Sequence, residues 1–368
     1  MSDREPGPLP HQDRIEREAA QHVELRRRSD AYLEEALAPR LALTGLERIS
    51  DRPRGRVWRA EMGSRAAIVK IYPAVAVPRA RRSAALHGLI EGRGIALAEL
   101  LHHDVGAVTV SEWGCGALVY ERVPGGPPRR GEGDVDAACL ANLARLHAIA
   151  PPDPAGIDLE GVGREAGERL EVKPLNPARE TFAGDFDSLA ALLSGPLRRL
   201  AAPDVARVKA WCDETAALND AAKTRPSLLH GDYQTGNLIE TPEGRLVTID
   251  LDEVLSGPFH WELGAALLRC LWGTTSRRLD TLPLDALLSS PRLLAAEAAY
   301  LDAAPASVRD DWAAHRDRSI VAAYLRGIGR LALRSGTPER YPVRRPPRFR
   351  GQARRRWDRV VAYLSTRA

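Results

Sequence analysis

Short apolar runs separated by polar turns mark the first part of the chain, whereas helical spacing dominates the rest. Apolar, β-favouring runs predict strands at residues 46–49, 57–61 and 66–72, divided by a loop at 51–56 and a turn at 62–65. Connections this short favour an antiparallel meander. A small antiparallel sheet is therefore expected near the N-terminus.

Apolar residues three and four positions apart predict helices along much of the remaining sequence. The predicted helices cover residues 13–38, 79–91, 134–150, 204–222, 256–272, 282–335 and 351–364. Trp312 and Tyr324 are expected in the core, and His147 is expected to be a satisfied core histidine. Residues 1–12 lack periodicity and are predicted to be disordered. Residues 151–203 are expected to be a variable insertion. Its acids Glu180, Asp185 and Asp187 are expected either to be solvated or to contact the substrate.

A length of 368 residues with 44% hydrophobic content is sufficient for a substantial core and for two lobes. No apolar run reaches the roughly 18 residues that cross a bilayer, and the charged first residues are unlike a signal peptide. These features predict a cytoplasmic globular protein without a membrane partner. The cysteines lack a paired zinc-binding spacing and are expected to be reduced and buried: Cys115, Cys139, Cys212 and Cys270.

Residues 228–252 carry acids, an amide and glycines between apolar runs at regular spacing. Two strand-like runs in this segment flank the sequence Pro-Glu-Gly, a turn signal, and therefore predict a hairpin. With the tip between the glutamate and the glycine, Leu238 would pair with Ile249. That register would place Asn237 and Asp250 side by side at the open end of the hairpin.

An amide and a carboxylate oxygen at this position suit Mg²⁺, which prefers hard oxygen ligands and is commonly held by one or two carboxylates plus substrate phosphates. Asp232, on the loop five residues before Asn237, is left to accept the proton of a substrate hydroxyl during phosphoryl transfer. Asp252 projects to the same side as Asp250 in an extended chain and is expected near the metal or the loop. Taken singly, such residues are ordinary turn formers. Their joint spacing favours a phosphoryl-transfer centre.

The motif His-Gly-Asp-Tyr-Gln-Thr-Gly-Asn at 230–237, followed by Ile-Asp at 249–250, resembles the catalytic loop and metal-binding motif of the aminoglycoside phosphotransferase and choline kinase-like family. The resemblance implies an α+β, two-lobed protein-kinase-like fold. A small antiparallel-sheet N-lobe with a leading helix would cover residues 13–124 and bind the nucleotide. A larger, mainly helical C-lobe would cover residues 125–368, with the catalytic loop, the acceptor site and a basic C-terminal segment.

The same resemblance implies an enzyme that uses ATP and Mg²⁺ to phosphorylate a hydroxyl of a small molecule. Asp232 would be the catalytic base, Asn237 and Asp250 the Mg²⁺ ligands, and His230 a structural member of the loop. The family usually has an aspartate where Glu262 stands. This longer carboxylate is expected to brace the loop in the same way.

Lys70 lies inside an apolar predicted strand and matches the lysine of the kinase Val-Ala-Ile-Lys motif, which would hold the nucleotide phosphates. The alternative is an edge-strand lysine that reaches solvent. Residues 116–125 resemble the hinge between kinase lobes. Adenine would bind there, near Glu121 and Val123, with the lobe boundary near Pro124.

Two features of the predicted N-lobe depart from the family pattern. The first loop has one glycine, Gly55, and three arginines that could meet phosphate: Arg52, Arg54 and Arg56. Arg82 stands at the expected position of the glutamate that pairs with Lys70, and Glu91 is the only acid available in that helix. The partner of Lys70 is therefore left open.

The segment from Arg326 to the end contains thirteen arginines against two acids. Polycationic aminoglycosides favour acidic pockets, so this charge weakens the case for an aminoglycoside acceptor without excluding it. A neutral or anionic sugar, or another metabolite, is expected at least equally. Two other functions stay open: a catalytically weak nucleotide-binding or scaffold protein, and nucleic-acid binding in which Phe349 and Trp357 stack on bases. A basic tail packed on the lobe is the more common outcome. The acceptor, the choice between ATP and GTP, and the oligomeric state do not follow from the sequence.

Overall fold

A computed structural model describes residues 24, 27–52, 55–104, 114–151, 200–221, 226–273, 276, 278–336 and 348–367. These residues form two compact units. The first contains the described residues up to Leu89 together with Ala98–Val123, and the second contains Ile90–Leu97 and the described residues from Pro124 onwards. The predicted disordered segment at 1–12, most of the predicted helix before residue 27, and nearly all of the predicted insertion, with its three acids, lie outside the described residues.

The first unit is built on one antiparallel sheet. Its strands are β1 (Leu43–Arg52), β2 (Gly55–Met62), β3 (Arg65–Pro73), β4 (Leu100–Asp104) and β5 (Cys115–Glu121), in the order β1-β2-β3-β5-β4. The predicted meander is confirmed, because β1 pairs with β2 and β2 with β3 in antiparallel register. Alternation along β3 buries Ala67, Val69 and Ile71 on one face, as the two-residue period of a strand requires.

Helical segments flank this sheet. A turn of π-helix at Tyr32–Leu37 leads into α1 (Ala38–Leu41), so the helical segment ends three residues after the predicted bound of residue 38. Tyr32 and Leu33 pack in the same apolar cluster as the buried residues of β3. Helix α2 (Val77–Ile90) packs its alanines against Tyr72 and Leu118 in a second cluster.

The second unit contains two short antiparallel pairs and most of the helices. The strands are β6 (Ser227–Leu229) paired with β9 (Leu255–Gly257), and β7 (Leu238–Glu240) paired with β8 (Leu246–Thr248). The helices are α3 (Gly133–Ala148), α4 (Ala202–Ala221), α5 (Phe259–Leu271), α6 (Arg278–Thr281), α7 (Leu284–Leu288), α8 (Pro291–Ala303), α9 (Ala306–Gly336) and α10 (Arg348–Ser365).

Helix α5 is the centre of the second unit, since every one of its residues is buried. It approaches α9 so closely that a Cβ at Gly264 would overlap the backbone of Ser319, a contact that only glycine permits. Trp312 and Tyr324 of α9 are buried, which confirms their predicted place in the core. Among the described residues, no helix combines the length and apolar character that a membrane crossing requires.

The cysteines are unpaired and buried, as predicted. Burial raises the pKa of the Cys139 and Cys212 thiols to about 12, so these groups stay protonated at neutral pH. They occupy the interior as small apolar side chains.

The described part of the basic tail packs on the second unit. Arg356 of α10 donates through Nε to Asp280 at 2.7 Å, and both side chains are almost completely buried. Trp357 is only 1% exposed, so the idea that it stacks on bases is wrong. The arginines of this helix are largely engaged with their own unit, as in the pair Arg354–Asp358 at 3.0 Å.

Candidate active site

The loop at residues 230–237 follows β6 and enters β7 through a 3₁₀ turn at Thr235–Asn237. Its path depends on Gly231, which has φ +79° and whose hydrogen faces the Glu253 backbone. A Cβ at this position would overlap the Glu253 carbonyl oxygen. Glycine is required for both reasons, because the left-handed conformation and the close backbone approach each disfavour a side chain.

Glu262, in the first turn of α5, holds the backbone of this loop from inside the protein. One carboxylate oxygen accepts from the His230 N–H at 2.7 Å, and the other accepts from the Gly231 N–H at 2.7 Å. His147 of α3 donates through Nε2 to Glu262 at 3.0 Å, and its Nδ1 lies 2.7 Å from the Tyr300 hydroxyl. Both oxygens of the buried carboxylate are thus hydrogen-bonded, which is the condition for burying one.

The environment of Glu262 favours its ionised form. Burial alone raises the pKa of the carboxyl, but the hydrogen bond and charge of His147 and the contribution of His230 outweigh that effect and lower the pKa below its ordinary value. His147 was expected to be a satisfied core histidine, and both of its ring nitrogens do have partners. Through its hydrogen bond to Glu262, His147 also helps to hold the loop.

The side chains of His230 and Tyr233 fix the rest of the loop. His230 Nδ1 lies 3.4 Å from the Asp232 N–H, a long contact in which it accepts, so Nε2 carries the proton and donates to the Ile249 carbonyl at 3.0 Å. The Tyr233 hydroxyl donates to the Cys139 carbonyl at 2.6 Å and accepts from Asn142 at 3.1 Å. These contacts tie the loop both to helix α3 and to the following hairpin.

Asp232, the predicted base, is held by three side chains of the described residues. Its Oδ2 accepts from Gln234 Nε2 at 3.0 Å and from Asn237 Nδ2 at 3.3 Å. Its Oδ1 accepts from Arg269 Nη1 at 2.8 Å. The carboxylate remains 32% exposed, whereas the Arg269 side chain is only 7% exposed. The reactive group is therefore fixed in place and still reached by solvent.

Arg269 is the residue of this site that the sequence reasoning missed. It lies in the last turns of α5, 37 residues after Asp232. The available signal was an arginine within an otherwise apolar run, Leu-Leu-Arg-Cys-Leu. A charged residue in such a run needs a buried partner, but the run itself does not identify that partner.

The hairpin that carries Asn237 forms with a register one residue from the predicted one. Leu238 pairs with Thr248 and not with Ile249, because the loop is centred on Glu243 and closes between Thr241 and Arg245. The Gly244 residue of this loop is left-handed, with φ +77°, as in three-residue hairpin loops. The Asn237 carbonyl accepts from the Ile249 N–H at 3.0 Å, so Asp250 follows immediately beyond the last paired residue.

Asn237 and Asp250 carry oxygens that fit a magnesium ion. The Asn237 amide nitrogen donates to the Asp232 carbonyl at 2.9 Å, which fixes the amide and turns its oxygen away from that carbonyl. Asp250 is exposed and adopts a left-handed backbone with φ +62°, an uncommon conformation that concentrates at functional sites. The described residues contain no group of three or more His, Cys, Asp and Glu suited to a metal. The side-chain oxygens of Asn237 and Asp250 suit Mg²⁺, because this ion keeps waters and phosphate oxygens as its other ligands.

Asp252 does not lie in extended chain as was assumed. The segment Leu251–Glu253 is a 3₁₀ turn, and Asp252 is 7% exposed within it. The argument that placed Asp252 on the same side as Asp250 is therefore wrong, because alternation of sides holds only for a strand. Its position beside the metal stays a prediction.

The predicted nucleotide-binding residues belong to the sheet unit. Lys70 lies on β3, the central strand, opposite Val57 and Leu118. The edge-strand alternative for this lysine is therefore wrong. Its Nζ lies 5.2 Å from the centroid of the Tyr72 ring.

The predicted hinge begins at the end of β5. The Glu121 N–H donates to the Glu99 carbonyl at 2.8 Å, and the Arg122 N–H donates to the Ala66 carbonyl at 2.8 Å. Because both N–H groups are used within the sheet, the Val123 backbone is the better candidate donor to a purine. Val123 is partly buried and is the last residue of the first unit in this part of the chain.

The two departures in the sheet unit are only partly explained. Glu91 follows α2, which ends at Ile90 before two left-handed glycines, so it is not a helix residue as was assumed. Arg82 lies within α2. Arg56 is 1% exposed and donates to the Ser29 hydroxyl at 2.7 Å, so the idea that it meets phosphate is wrong. Arg54 and the side chain of Arg52 lie outside the described residues.

An antiparallel sheet unit, followed by a mainly helical unit that carries a His-Gly-Asp loop and an Asn–Asp pair, defines a protein of the protein-kinase-like class. The chain belongs to the phosphotransferase enzyme family, whose sequence model matches residues 45–316. The predicted family and the predicted two-lobed α+β fold are confirmed.

Solved structures of small-molecule kinases share this fold. An ethanolamine kinase of Plasmodium vivax has a TM-score of 0.59 at 12% identity, over 92% of this chain and 88% of its own. The choline kinase LicA of Streptococcus pneumoniae has a TM-score of 0.54 at 14% identity, over 91% of this chain and 99% of its own. A thermostable mutant of the aminoglycoside phosphotransferase APH(4)-Ia, in complex with ADP and hygromycin B, has a TM-score of 0.52 at 14% identity, over 90% of this chain and 98% of its own. No curated protein sequence matches this chain significantly.

Proposed function

We propose that this phosphotransferase moves the γ-phosphoryl group of ATP to a hydroxyl of a small molecule, with Mg²⁺ bound. The observation that carries the proposal is the Asp232 carboxylate, which is part-exposed and hydrogen-bonded on a loop whose backbone Glu262 holds. Family membership and the kinases of the same fold support it, and one of those kinases was solved in complex with ADP.

In the proposed reaction, Asp232 orients the acceptor hydroxyl and takes its proton. The hydroxyl oxygen forms a bond to the γ-phosphorus as the bond from that phosphorus to the β,γ-bridging oxygen breaks, and ADP leaves. Because such transition states require little covalent participation by the protein, positioning and charge stabilisation supply most of the catalysis. The fixed orientation of Asp232 is suited to this role.

Asn237 and Asp250 are proposed to hold Mg²⁺ through their side-chain oxygens. When bound, the ion would neutralise charge on the phosphates. Lys70 of the sheet unit is proposed to bind the nucleotide phosphates, and the backbone near Glu121 and Val123 is proposed to bind adenine. His230 and Asp252 are proposed to support the loop and the metal site. The cytoplasmic location stays a prediction.

The test is acceptor-dependent ADP production across a panel of ethanolamine, choline, aminoglycosides, neutral sugars and sugar acids. At least one acceptor should raise ADP production above the rate with ATP alone. Asp250→Asn should raise the Mg²⁺ concentration needed for half-maximal rate by at least about 10-fold, because changes to groups that only support a metal ligand already cost about 10- to 100-fold in metal affinity. If nucleotide binds but no acceptor is phosphorylated, the nucleotide-binding scaffold alternative is favoured. If neither occurs, the kinase proposal fails.

A further inference from the structure

The two oxygens of the Asp232 carboxylate are unequally occupied. Each carboxylate oxygen offers about two lone-pair directions to donors. Within the described part of the chain, Gln234 and Asn237 supply two donors to Oδ2, and Arg269 supplies one to Oδ1. Oδ1 is therefore the oxygen with room for an acceptor hydroxyl. A hydroxyl bound there lies next to the guanidinium of Arg269.

Arg269 also contributes to the wall of a small cavity in the same unit. This partly open cavity has a volume of about 20 Å³ and lies between α5, α6, α9 and α10. Its lining includes the arginines Arg269, Arg326 and Arg356 together with Leu279 and Tyr324. A space of this size holds about one water or the oxygen end of a larger group.

The charged lining makes this cavity unsuitable for a cation. Arg269 and Arg356 are 6% and 1% exposed, so solvent screens their charges weakly. Arg326 stacks over the Trp261 ring with 4.4 Å between its Cζ and the ring centroid. Asp232 and Asp280 offset part of this charge. Arg356 already donates to Asp280 through Nε and to the Ser276 carbonyl through Nη2. Arg269 donates to Asp232 through Nη1, and its guanidinium is the one suited to an oxyanion, which such groups bind in a planar, two-point manner.

We propose that Arg269 is a specificity-determining residue and that the acceptor carries an oxyanion, a carboxylate or a phosphate, close to the hydroxyl that receives the phosphoryl group. The oxyanion binds Arg269 at the edge of this cavity, while the hydroxyl binds Asp232 Oδ1. This proposal rests on the proposed kinase function. An amine in place of the oxyanion would face Arg269 and be repelled.

The first test measures oxyanion binding without turnover. Inorganic phosphate and D-glycerate are titrated into the nucleotide-free full chain by calorimetry, with glycerol as the uncharged reference. The variants are Arg269→Gln, Arg269→Lys and, as an exposed arginine control, Arg309→Gln, whose pair with Asp302 spans 3.8 Å at the surface. Lys70→Ala identifies phosphate that binds at the nucleotide site instead.

Wild-type protein should bind at least one of the two oxyanions saturably and should not bind glycerol. Arg269→Gln should raise the dissociation constant by about 10- to 100-fold, as expected for loss of a charged hydrogen bond. Arg269→Lys should restore part of the binding, and Arg309→Gln should leave it unchanged. Absence of saturable binding, an unchanged constant in Arg269→Gln, or loss of binding only in Lys70→Ala would overturn the proposal.

The second test compares matched acceptors that differ in one substituent: glucose, glucosamine, gluconate and glucose 6-phosphate. Wild type should prefer an oxyanion acceptor to glucosamine in kcat/KM, and Arg269→Gln should reduce that ratio by raising KM for the oxyanion acceptor. A preference for glucosamine would overturn the proposal even though it would support a kinase. If none of the four is phosphorylated, the binding constants decide, because they do not depend on turnover.

Discussion

At the first turn of helix α5, the carboxylate of Glu262 accepts hydrogen bonds from the backbone of the His-Gly-Asp loop, whereas near its last turn the guanidinium of Arg269 donates to the side chain of Asp232. Glu262 is 2% exposed, and its partners His230 and His147 are buried. Asp232 is 32% exposed. One buried helix thus binds the loop twice, once at its backbone and once at its reactive carboxylate.

Glu262 and Arg269 are both buried charged residues of α5, but removing each should have a different consequence. Removing Glu262 would strand backbone N–H groups away from water, and such groups cost much of their hydration energy when unpaired. Removing Arg269 would leave Asp232 with two other donors and with solvent. The Glu262 end should therefore determine the stability of the loop, and the Arg269 end should determine acceptor binding and chemistry.

The largest expected effect is that of Glu262→Ala. It should lower the free energy of unfolding by about 3 to 5 kcal/mol, because a buried ionic network loses its central acceptor. Urea unfolding measures the change. Glu297→Ala is the matched control, since Glu297 is also buried and accepts from Trp312 at 2.6 Å and Arg316 at 2.7 Å, without a described contact to the loop.

Both glutamate variants should lose stability, but only Glu262→Ala should lose phosphotransfer at temperatures where both proteins remain folded. Equal activity loss in the two variants would show that Glu262 acts through general stability. The proposed difference in role between Glu262 and Arg269 would then be wrong.

A smaller effect is expected for Gly231→Ala. Gly231 and Gly244 have nearly the same left-handed φ, +79° and +77°, but only Gly231 faces a backbone atom. The shared conformation should cost each alanine variant about 1 kcal/mol. The clash with Glu253 should add about 1 to 3 kcal/mol to Gly231→Ala alone, as for other backbone strain. Equal free energies of unfolding for the two variants would refute the close approach.

The smallest effect is confined to acid pH. Because the folded pKa of Glu262 is below its ordinary value of 4.5, the unfolded chain takes up the proton first as the pH falls. The stability contributed by ionised Glu262 is therefore complete above about pH 4.5 and is lost as the pH falls towards the folded pKa. Urea unfolding of wild type and Glu262→Gln should show a difference that is constant near neutral pH and shrinks below 4.5. A difference that grows on acidification would contradict the lowered pKa.

Local patterns were sufficient to predict the meander of β1, β2 and β3 and the catalytic loop, but not strand β4. Apolar, β-favouring runs bounded by turn residues placed β2 and β3 within two residues of their observed bounds. The His-Gly-Asp motif identified the loop before any contact was known. The helix that carries Trp312 and Tyr324 was predicted because its apolar spacing is regular.

The misses depend on contacts or turn geometry that local patterns do not specify. Arg269 reaches Asp232 across 37 residues, and helical periodicity says only that it lies in a buried helix. The hairpin register shifted by one residue because Gly244 takes a left-handed conformation in a three-residue loop. Lys70 could not be assigned to a central strand until β5 was seen to pair with β3.

The role of Asp232 is the central claim, and single-turnover transfer of γ-³²P phosphate from ATP to a working acceptor tests it most directly. Asp232→Asn should slow the transfer by about 10²- to 10⁴-fold, the usual contribution of a positioned general base, while nucleotide affinity stays unchanged. Asp302→Asn, at a side chain that is 80% exposed, should transfer at the wild-type rate. A wild-type rate in Asp232→Asn would contradict the account.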